Sequence, residues 1–458
     1  MKEFSKEVLD GNFQWGVSTA AYQTEGAIST DDKGPSIWDV FSNRPGKTYN
    51  NQNANLACDF YHRYPEDLQI IHDLAIPNFR FSVAWSRILP QGIGKVNQLG
   101  LDFYDRLIDH CLESGIQPWV TLYHWDLPQA LEQKGGWTNR NIVAWFSEFV
   151  SVVVDRYRDR VTNWMVINEP MVFTGAGYFL GIHAPGRRGL KNFLSSIHHA
   201  TLCQAEGGRL IRDLQPNAFI GTTFSCSPVE AATDSERDQK AAERVDALLN
   251  RLFIEPCLGL GYPTEKFTVL SKLEKFQQPG DEQRMVFDFD FIGLQNYTRE
   301  VIRHSWSMPY IFARQVPPQK RNVSTTLMGW EVYPNAIYQI LKQFHERYAL
   351  KNIIITENGA AFDDKLHDNK VSDHERQNYL RQHIQACLQA KAEGIPLNGY
   401  FVWTLTDNFE WAEGYHPTFG LVHVNFQNQQ RRIKQSGYWY SKLIQEYRKQ
   451  AQRLNIRV

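Results

Sequence analysis

Two apolar runs in the chain end on a glutamate. "NWMVINEP", Asn163 to Pro170, carries four apolar residues, Trp164 to Ile167, into Asn168 and Glu169; "NIIITENG", Asn352 to Gly359, carries Ile353, Ile354 and Ile355 into Thr356, Glu357 and Asn358. Short apolar runs read as strands buried on both faces. An ionisable acid at the end of such a strand is costly unless it is paired or used. Two carboxylates brought together in one cleft can divide acid–base work, one keeping its proton while the other stays charged.

Bringing two residues so far apart in sequence together is the task of the fold. Eight short apolar segments recur along the chain: Phe13 to Val17, Asn78 to Val83, Gln117 to Leu122, Asn163 to Ile167, Ala218 to Phe224, Phe291 to Gln295, Asn352 to Thr356 and Gly399 to Trp403. Helical patterns lie between them. From Asn139 to Arg158, for example, Ile142, Phe146, Phe149, Val150, Val153 and Tyr157 recur at three- and four-residue steps. Eight strand–helix units predict an α/β fold, a closed parallel TIM (β/α)8 barrel formed as one domain over residues 1–458. The length beyond the roughly 250 residues of a minimal barrel falls mainly after strands one, four, six and eight. Those long βα loops belong to the C-terminal face, where such barrels place their sites, so Glu169 and Glu357 are expected at one mouth.

In a sugar-sized cleft, paired carboxylates point to glycoside hydrolysis, and a spacing of roughly 5 to 5.5 Å gives the retaining route. Composition agrees with a large core and a neutral ligand. Of 458 residues, 42% are hydrophobic and 13% aromatic, and Lys+Arg 49 nearly balances Asp+Glu 50. Such balance offers no field for nucleic acid or an anionic membrane surface. No secretory signal or spanning apolar run is visible, and the six cysteines are scattered singly, which together predict a cytoplasmic protein with reduced thiols. The basic stretches "QRRIKQ" and "YRKQAQRLNIRV" read as solvated helix faces.

Other motifs fail on spacing. "GAGYFLG" from Gly175 has its third glycine one position late for a dinucleotide loop, and "GKT" at Gly46 to Thr48 lacks the required glycine at position 41. His199 and Cys203 lie one helical turn apart without a complementary ligand pair, which predicts packing rather than zinc. No carboxylate–histidine cluster marks the strand ends, so neither metal nor cofactor is expected.

The stretches "FQWGVSTAAYQTEG", "DFYHRYPEDL", "FRFSVAWSRILPQG", "LYHWDLPQAL", "NEP", "GIHAPG", "NYT", "ITENG" and "DNFEWAEGY" occur in an order that resembles glycoside hydrolase family 1, the β-glucosidase family, nearly end to end. The resemblance implies that Glu169 is the acid/base and Glu357 the nucleophile, with Arg80, Tyr297 and Asn296 beside them. It implies that Gln23, His124 and Glu410 hold the outer hydroxyls of a terminal sugar with Trp411 contributing, that Trp125 belongs to the substrate-binding set, that Asn168 meets the 2-hydroxyl, and that Trp403 is the stacking floor. Trp330 would flank the leaving group, joined by Val172, Phe173 and Phe179. Relatives that cleave 6-phosphorylated sugars carry serine, lysine and tyrosine where this chain has Glu410, Trp411 and Glu413, so an unphosphorylated β-glucoside or oligosaccharide is the expected partner. Thioglucosidases of the family replace the acid/base by glutamine; Glu169 is intact. Thr418 stands where many relatives have arginine, which leaves the packing of the eighth loop open, and Thr404 stands where serine is frequent. β-Galactoside or β-fucoside cleavage, transglycosylation, and a catalytically silent sugar-binding protein stay as alternatives, and a homo-oligomer is left open.

Overall fold

In the computed structural model, which describes residues 4, 5 and 7–453, eight parallel strands close into a barrel: β1 Gln14–Ser18, β2 Asn78–Ser82, β3 Gln117–Tyr123, β4 Asn163–Asn168, β5 Phe219–Ser225, β6 Phe291–Gln295, β7 Ile353–Asn358 and β8 Leu397–Trp403. Each pairs with the next, and β8 returns to β1 in unbroken register from Gln14 opposite Gly399 to Ser18 opposite Trp403. All eight predicted segments are strands. Their ends move by at most two residues, because the hydrogen-bond ladder, not the apolar run, sets where a strand stops.

A helix follows each strand: α1 Phe60–Asp73, α2 Gln98–Glu113, α3 Ile142–Tyr157, α4 Leu190–Leu214, α5 Glu236–Asp246, α6 Asn335–Tyr348, α7 His374–Ala392 and α8 Gln435–Arg453. The predicted periodic face of α3 is fully buried, as a three- and four-residue repeat requires. No helix among the described residues is long and apolar enough to cross a membrane.

Inside the barrel, Trp119, Met165, Phe291, Ile354 and Phe401 form a plug. Glycines make room for its rings: a Cβ on Gly16 would sit 2.3 Å from the Phe401 ring, and one on Gly221 would sit 2.4 Å from that of Phe291. Above this plug the lumen turns polar. Strict alternation would aim Asn168 and Glu357 outward, since each lies three residues beyond an inward plug residue, Met165 and Ile354. Both strands slip register in that interval: β4 against β5 between Met165 and Asn168, and β7 against β6 between Ile355 and Glu357. Such irregularities re-aim side chains beside active sites.

The stretch "QRRIKQ" is not a solvated helix face. Gln430–Ile433 is a strand paired with Val422–Asn425, and the side chains of two basic residues of the stretch, Arg431 and Lys434, are buried against acids. Arg431 reaches Asp67 at 3.0 Å, and Lys434 lies 2.6 Å from both Asp364 and Asp407. Local charge density could not reveal partners that lie far away in sequence. The second basic stretch lies on α8 as far as Arg453; its last residues fall outside those described.

Candidate active site

Arg80 rises from β2 into the polar layer and is wholly buried. Its Nη1 donates to Glu357 Oε1, its Nη2 donates to Asn168 Oδ1, and its Nε donates to Thr121 Oγ1 at 3.1 Å. The Tyr297 hydroxyl donates to the other Glu357 oxygen, Oε2, at 2.7 Å. The nucleophile candidate therefore rests on three elements, β2, β7 and the turn after β6.

Glu169 follows β4 with φ 43° and ψ 66°, a left-handed conformation that costs a non-glycine residue about 1–3 kcal/mol. The twist ends the strand and starts the one-turn helix Pro170–Thr174, whose first residue needs no backbone donor. Trp125 (φ 76°) and Trp411 (φ 47°) share this backbone strain at the same mouth.

The two carboxyls have different electrostatic surroundings. Burial pushes the Glu169 carboxyl well above the usual range, the charge of Glu357 adds to the push, and the Ser225 hydroxyl and Arg80 only partly oppose it. Burial also raises Glu357, but Arg80 and the Tyr297 hydroxyl pull it back. A single shared proton therefore belongs on Glu169. This is the division of labour that an acid–nucleophile pair requires.

Both carboxyls line a cavity of about 240 Å³, together with His124, Trp125, Tyr297, Trp330, Trp403, Glu410, Trp411 and Glu413. The rings of Trp403 and Trp411 each lie 6.0 Å from His124 in near-parallel stacks. Asn168 Nδ2 donates to His124 Nε2 at 3.0 Å. An accepting Nε2 places the His124 proton on Nδ1, which is buried and lacks a protein partner. Burial, reinforced by Arg80, holds His124 well below its ordinary pKa and hence neutral.

Gln23 shows the same economy. Its Nε2 donates to Phe409 O at 3.0 Å and to Asn408 Oδ1 and Glu410 Oε2 at 3.2 Å, while its buried Oε1 has no partner. Burial and the charge of Glu357 push Glu410 up to about 8. Unpartnered buried polar atoms are rare, and such atoms around an aromatic-walled cavity fit a polyhydroxylated ligand.

Residues 5–449 match the profile described as Glycosyl hydrolase family 1. The chain belongs to that family. It is 42% identical over 446 residues to a 1,4-β-D-glucan glucohydrolase of Thermotoga neapolitana, covering 97% of this chain and 98% of the relative. It is also 42% identical to β-glucosidase A of Thermotoga maritima, covering 94% and 96%. A solved structure of a β-glucosidase from Thermotoga maritima in complex with deoxynojirimycin superposes with a TM-score of 0.92 at 41% identity, covering 98% of this chain and 99% of that one.

Within this family 1 glycosyl hydrolase, some expected residues stand elsewhere. Asn296 is buried and its side chain bonds neither carboxylate: its Nδ2 donates to Cys226 O and Thr298 O, both at 2.9 Å, and its Oδ1 has no partner among the described residues. Besides Tyr297, the residue from that stretch whose side chain meets Glu357 is Gln295. Phe291 plugs the lumen from β6, and two-residue periodicity sends Gln295 inward and Asn296 the other way. Val172 and Trp330 line the cavity, whereas Phe173 packs against Tyr123 and Trp137, and Phe179 belongs to a separate apolar cavity that it shares with Phe193. Ser225, His183, Met328 and Phe419 line the catalytic cavity without having been expected. The phase of β6 was the available signal for Gln295; loop residues such as Met328 and Phe419 carry none.

The eighth loop packs without an arginine at position 418. Arg376, arriving from α7, donates to the Thr418 carbonyl, and Thr418 Oγ1 donates to Phe362 O at 2.7 Å. Thr404 Oγ1 donates to Ser18 O at 2.6 Å, tying β8 to β1. His199 is held by packing and by a 2.8 Å bond to the Trp137 carbonyl.

Proposed function

We propose that the protein is a retaining β-glucosidase that removes terminal β-D-glucosyl units from unphosphorylated oligosaccharides or aryl and alkyl glucosides. The observation that carries this reading is the asymmetric carboxyl pair: Glu357 is held by Arg80 and Tyr297, while Glu169 is left buried beside a charge. The names of the two Thermotoga relatives support it.

In this reading Glu357 attacks the anomeric carbon as Glu169 gives its proton to the leaving oxygen. Esterification then removes the Glu357 charge, the pKa of Glu169 falls, and Glu169 takes a proton from the incoming water. Gln23, His124, Glu410 and Trp411 hold the outer hydroxyls, Asn168 the 2-hydroxyl, and Trp403 the sugar face. Glu410 and Glu413 both line the cavity, and a 6-phosphate would meet their carboxylates at close range. Six free, buried thiols suit a reducing compartment. We therefore place the enzyme in the cytoplasm, acting on imported disaccharides such as cellobiose, with the barrel and its loops working as one catalytic unit.

The test is turnover of 4-nitrophenyl β-glucoside, β-galactoside and β-fucoside beside cellobiose, with the released anomer followed by NMR. Fast glucoside cleavage with the β-anomer appearing first supports the reading. An α-anomer first would replace it with an inverting route, and binding without cleavage would replace it with a silent sugar-binding protein.

A further inference from the structure

Gln295 bridges two groups that the proposed reaction uses separately. Its Nε2 lies 2.9 Å from Glu357 Oε1 and 2.8 Å from Asn168 Oδ1, with Thr223 Oγ1 at 3.3 Å. It is fully buried. An uncharged amide in this layer can donate to a carboxylate without adding a charge that would draw the proton off Glu169.

The acceptor counts give the bridge its consequence. Glu357 Oε1 accepts from both Arg80 and Gln295, whereas Oε2 accepts from Tyr297 alone. Oε1 is thereby saturated, and Oε2 is the oxygen left with capacity to turn toward an anomeric carbon. Asn168 Oδ1 accepts from Arg80, Gln295 and, at 2.9 Å, Thr223 Oγ1. With its oxygen so occupied, the Asn168 amide can only present Nδ2 to the cleft side, where it meets His124. One further relationship marks the position. Gln295 stands opposite Ser225 in the β5–β6 register, and the Ser225 hydroxyl opposes the rise in the pKa of Glu169. Two neighbouring neutral side chains thus each act on a different carboxyl.

We propose that Gln295 is a positioning residue for glycosylation, locking the orientation of the Glu357 carboxylate to that of the Asn168 amide through one shared nitrogen. This rests on Glu357 being the nucleophile and Asn168 the contact to the sugar 2-hydroxyl. The length of the side chain matters, because an asparagine at 295 is one methylene too short to span both acceptors.

The test compares wild type with Q295L and Q295N using 4-nitrophenyl β-glucoside, its 2-deoxy analogue, and inactivation by 2,4-dinitrophenyl 2-deoxy-2-fluoro-β-glucoside. Q295L should lower kcat about 100-fold, the loss typical of one preorganised donor, while KM stays within about threefold. Removing a donor to ionised Glu357 raises its pKa, so the acidic limb of kcat/KM should move to higher pH, with Arg80, Tyr297, Glu169 and Glu410 still facing it. The rate lost on deleting the 2-hydroxyl should shrink about tenfold in both variants, because the Asn168 contact is already misaligned. Unchanged kcat, acidic limb and 2-hydroxyl dependence in soluble Q295N or Q295L would overturn the proposal. Should Q295L fail to fold, Q295N decides by the same three readouts. Wild-type enzyme that the fluoroglucoside labels at a residue other than Glu357 would defeat the nucleophile assignment instead, a result separable from any effect at position 295.

Discussion

Arg80 holds Glu357 with one guanidinium nitrogen and Asn168 with the other. The planar fork fixes the spacing between the proposed nucleophile and the proposed 2-hydroxyl contact, something a lysine ammonium, with its single point of charge, cannot reproduce. Arg80→Lys should therefore lower kcat/KM by about 100-fold or more even though the charge is kept. In the proposed route Glu357 works when ionised, so activity should be lost as pH falls through its pKa. A less well placed cation raises that pKa, and the acidic limb should shift upward. An unchanged limb in the pH–rate profile would mean that Arg80 shapes the barrel without tuning Glu357.

Glu169 owes its raised pKa to burial first and to the Glu357 charge second. Trapping the enzyme as its 2-fluoroglucosyl ester removes the second cause and leaves the first. The pKa of Glu169, followed by carbon NMR of labelled glutamate, should be lower in the trapped enzyme than in the free one. The same value in both states would remove the proton cycling from the mechanism. Glu357→Ala should abolish turnover and recover it with azide as an α-glucosyl azide; Glu169→Ala should spare substrates with good leaving groups and lose those with poor ones.

His124 offers a neutral Nδ1–H with no protein partner. A buried donor without a partner costs about 1–3 kcal/mol, so a sugar hydroxyl that meets it is worth roughly 10- to 100-fold in kcat/KM. Among monodeoxy aryl glucosides, one should lose that factor on wild type and lose almost nothing on His124→Phe. Equal losses on both proteins would place His124 outside the sugar contacts. Nitrogen chemical shifts of the imidazole should report a ring that stays neutral at pH values where an ordinary histidine is protonated, since burial and Arg80 both oppose its protonation.

Much of this site could be read from the chain because the residues sit at strand ends, where an apolar run announces the strand and the first polar residues announce the mouth. Glu169 and Glu357 stand out that way, whereas Arg80 and Trp403 came with the family resemblance. What the sequence could not display is the direction of each side chain. Counted by twos from Met165 and Ile354, Asn168 and Glu357 should face the helices; only the register slips of β4 and β7 turn them inward, and such slips arise from pairing with neighbouring strands. Motif proximity pointed to Asn296, while strand phase selects Gln295. The same limit explains Arg431 and Lys434, whose acidic partners belong to distant segments.

Lys434 connects stability to the sugar pocket. It is buried between Asp364 and Asp407, and Asp407 also accepts the Gly420 backbone N–H at 2.9 Å, which staples the loop that carries Glu410 and Trp411. Arg376 supplies the other charge to Asp364 at 2.7 Å. Removing the ammonium leaves Asp364 with Arg376, which also pairs with Asp373, and Asp407 with only the His423 ring, at 3.3 Å, as an ionic partner among the described residues; breaking a buried pair on one side costs about 3–5 kcal/mol. Lys434→Met should lower the melting temperature accordingly. Its effect on catalysis should fall on KM more than on kcat, because the loop positions Glu410 and Trp411 but not Glu357, which is anchored from β2 and β6. Thermal unfolding together with steady-state kinetics checks both halves. A loss of kcat at unchanged KM would mean that the staple acts on the carboxyl pair itself.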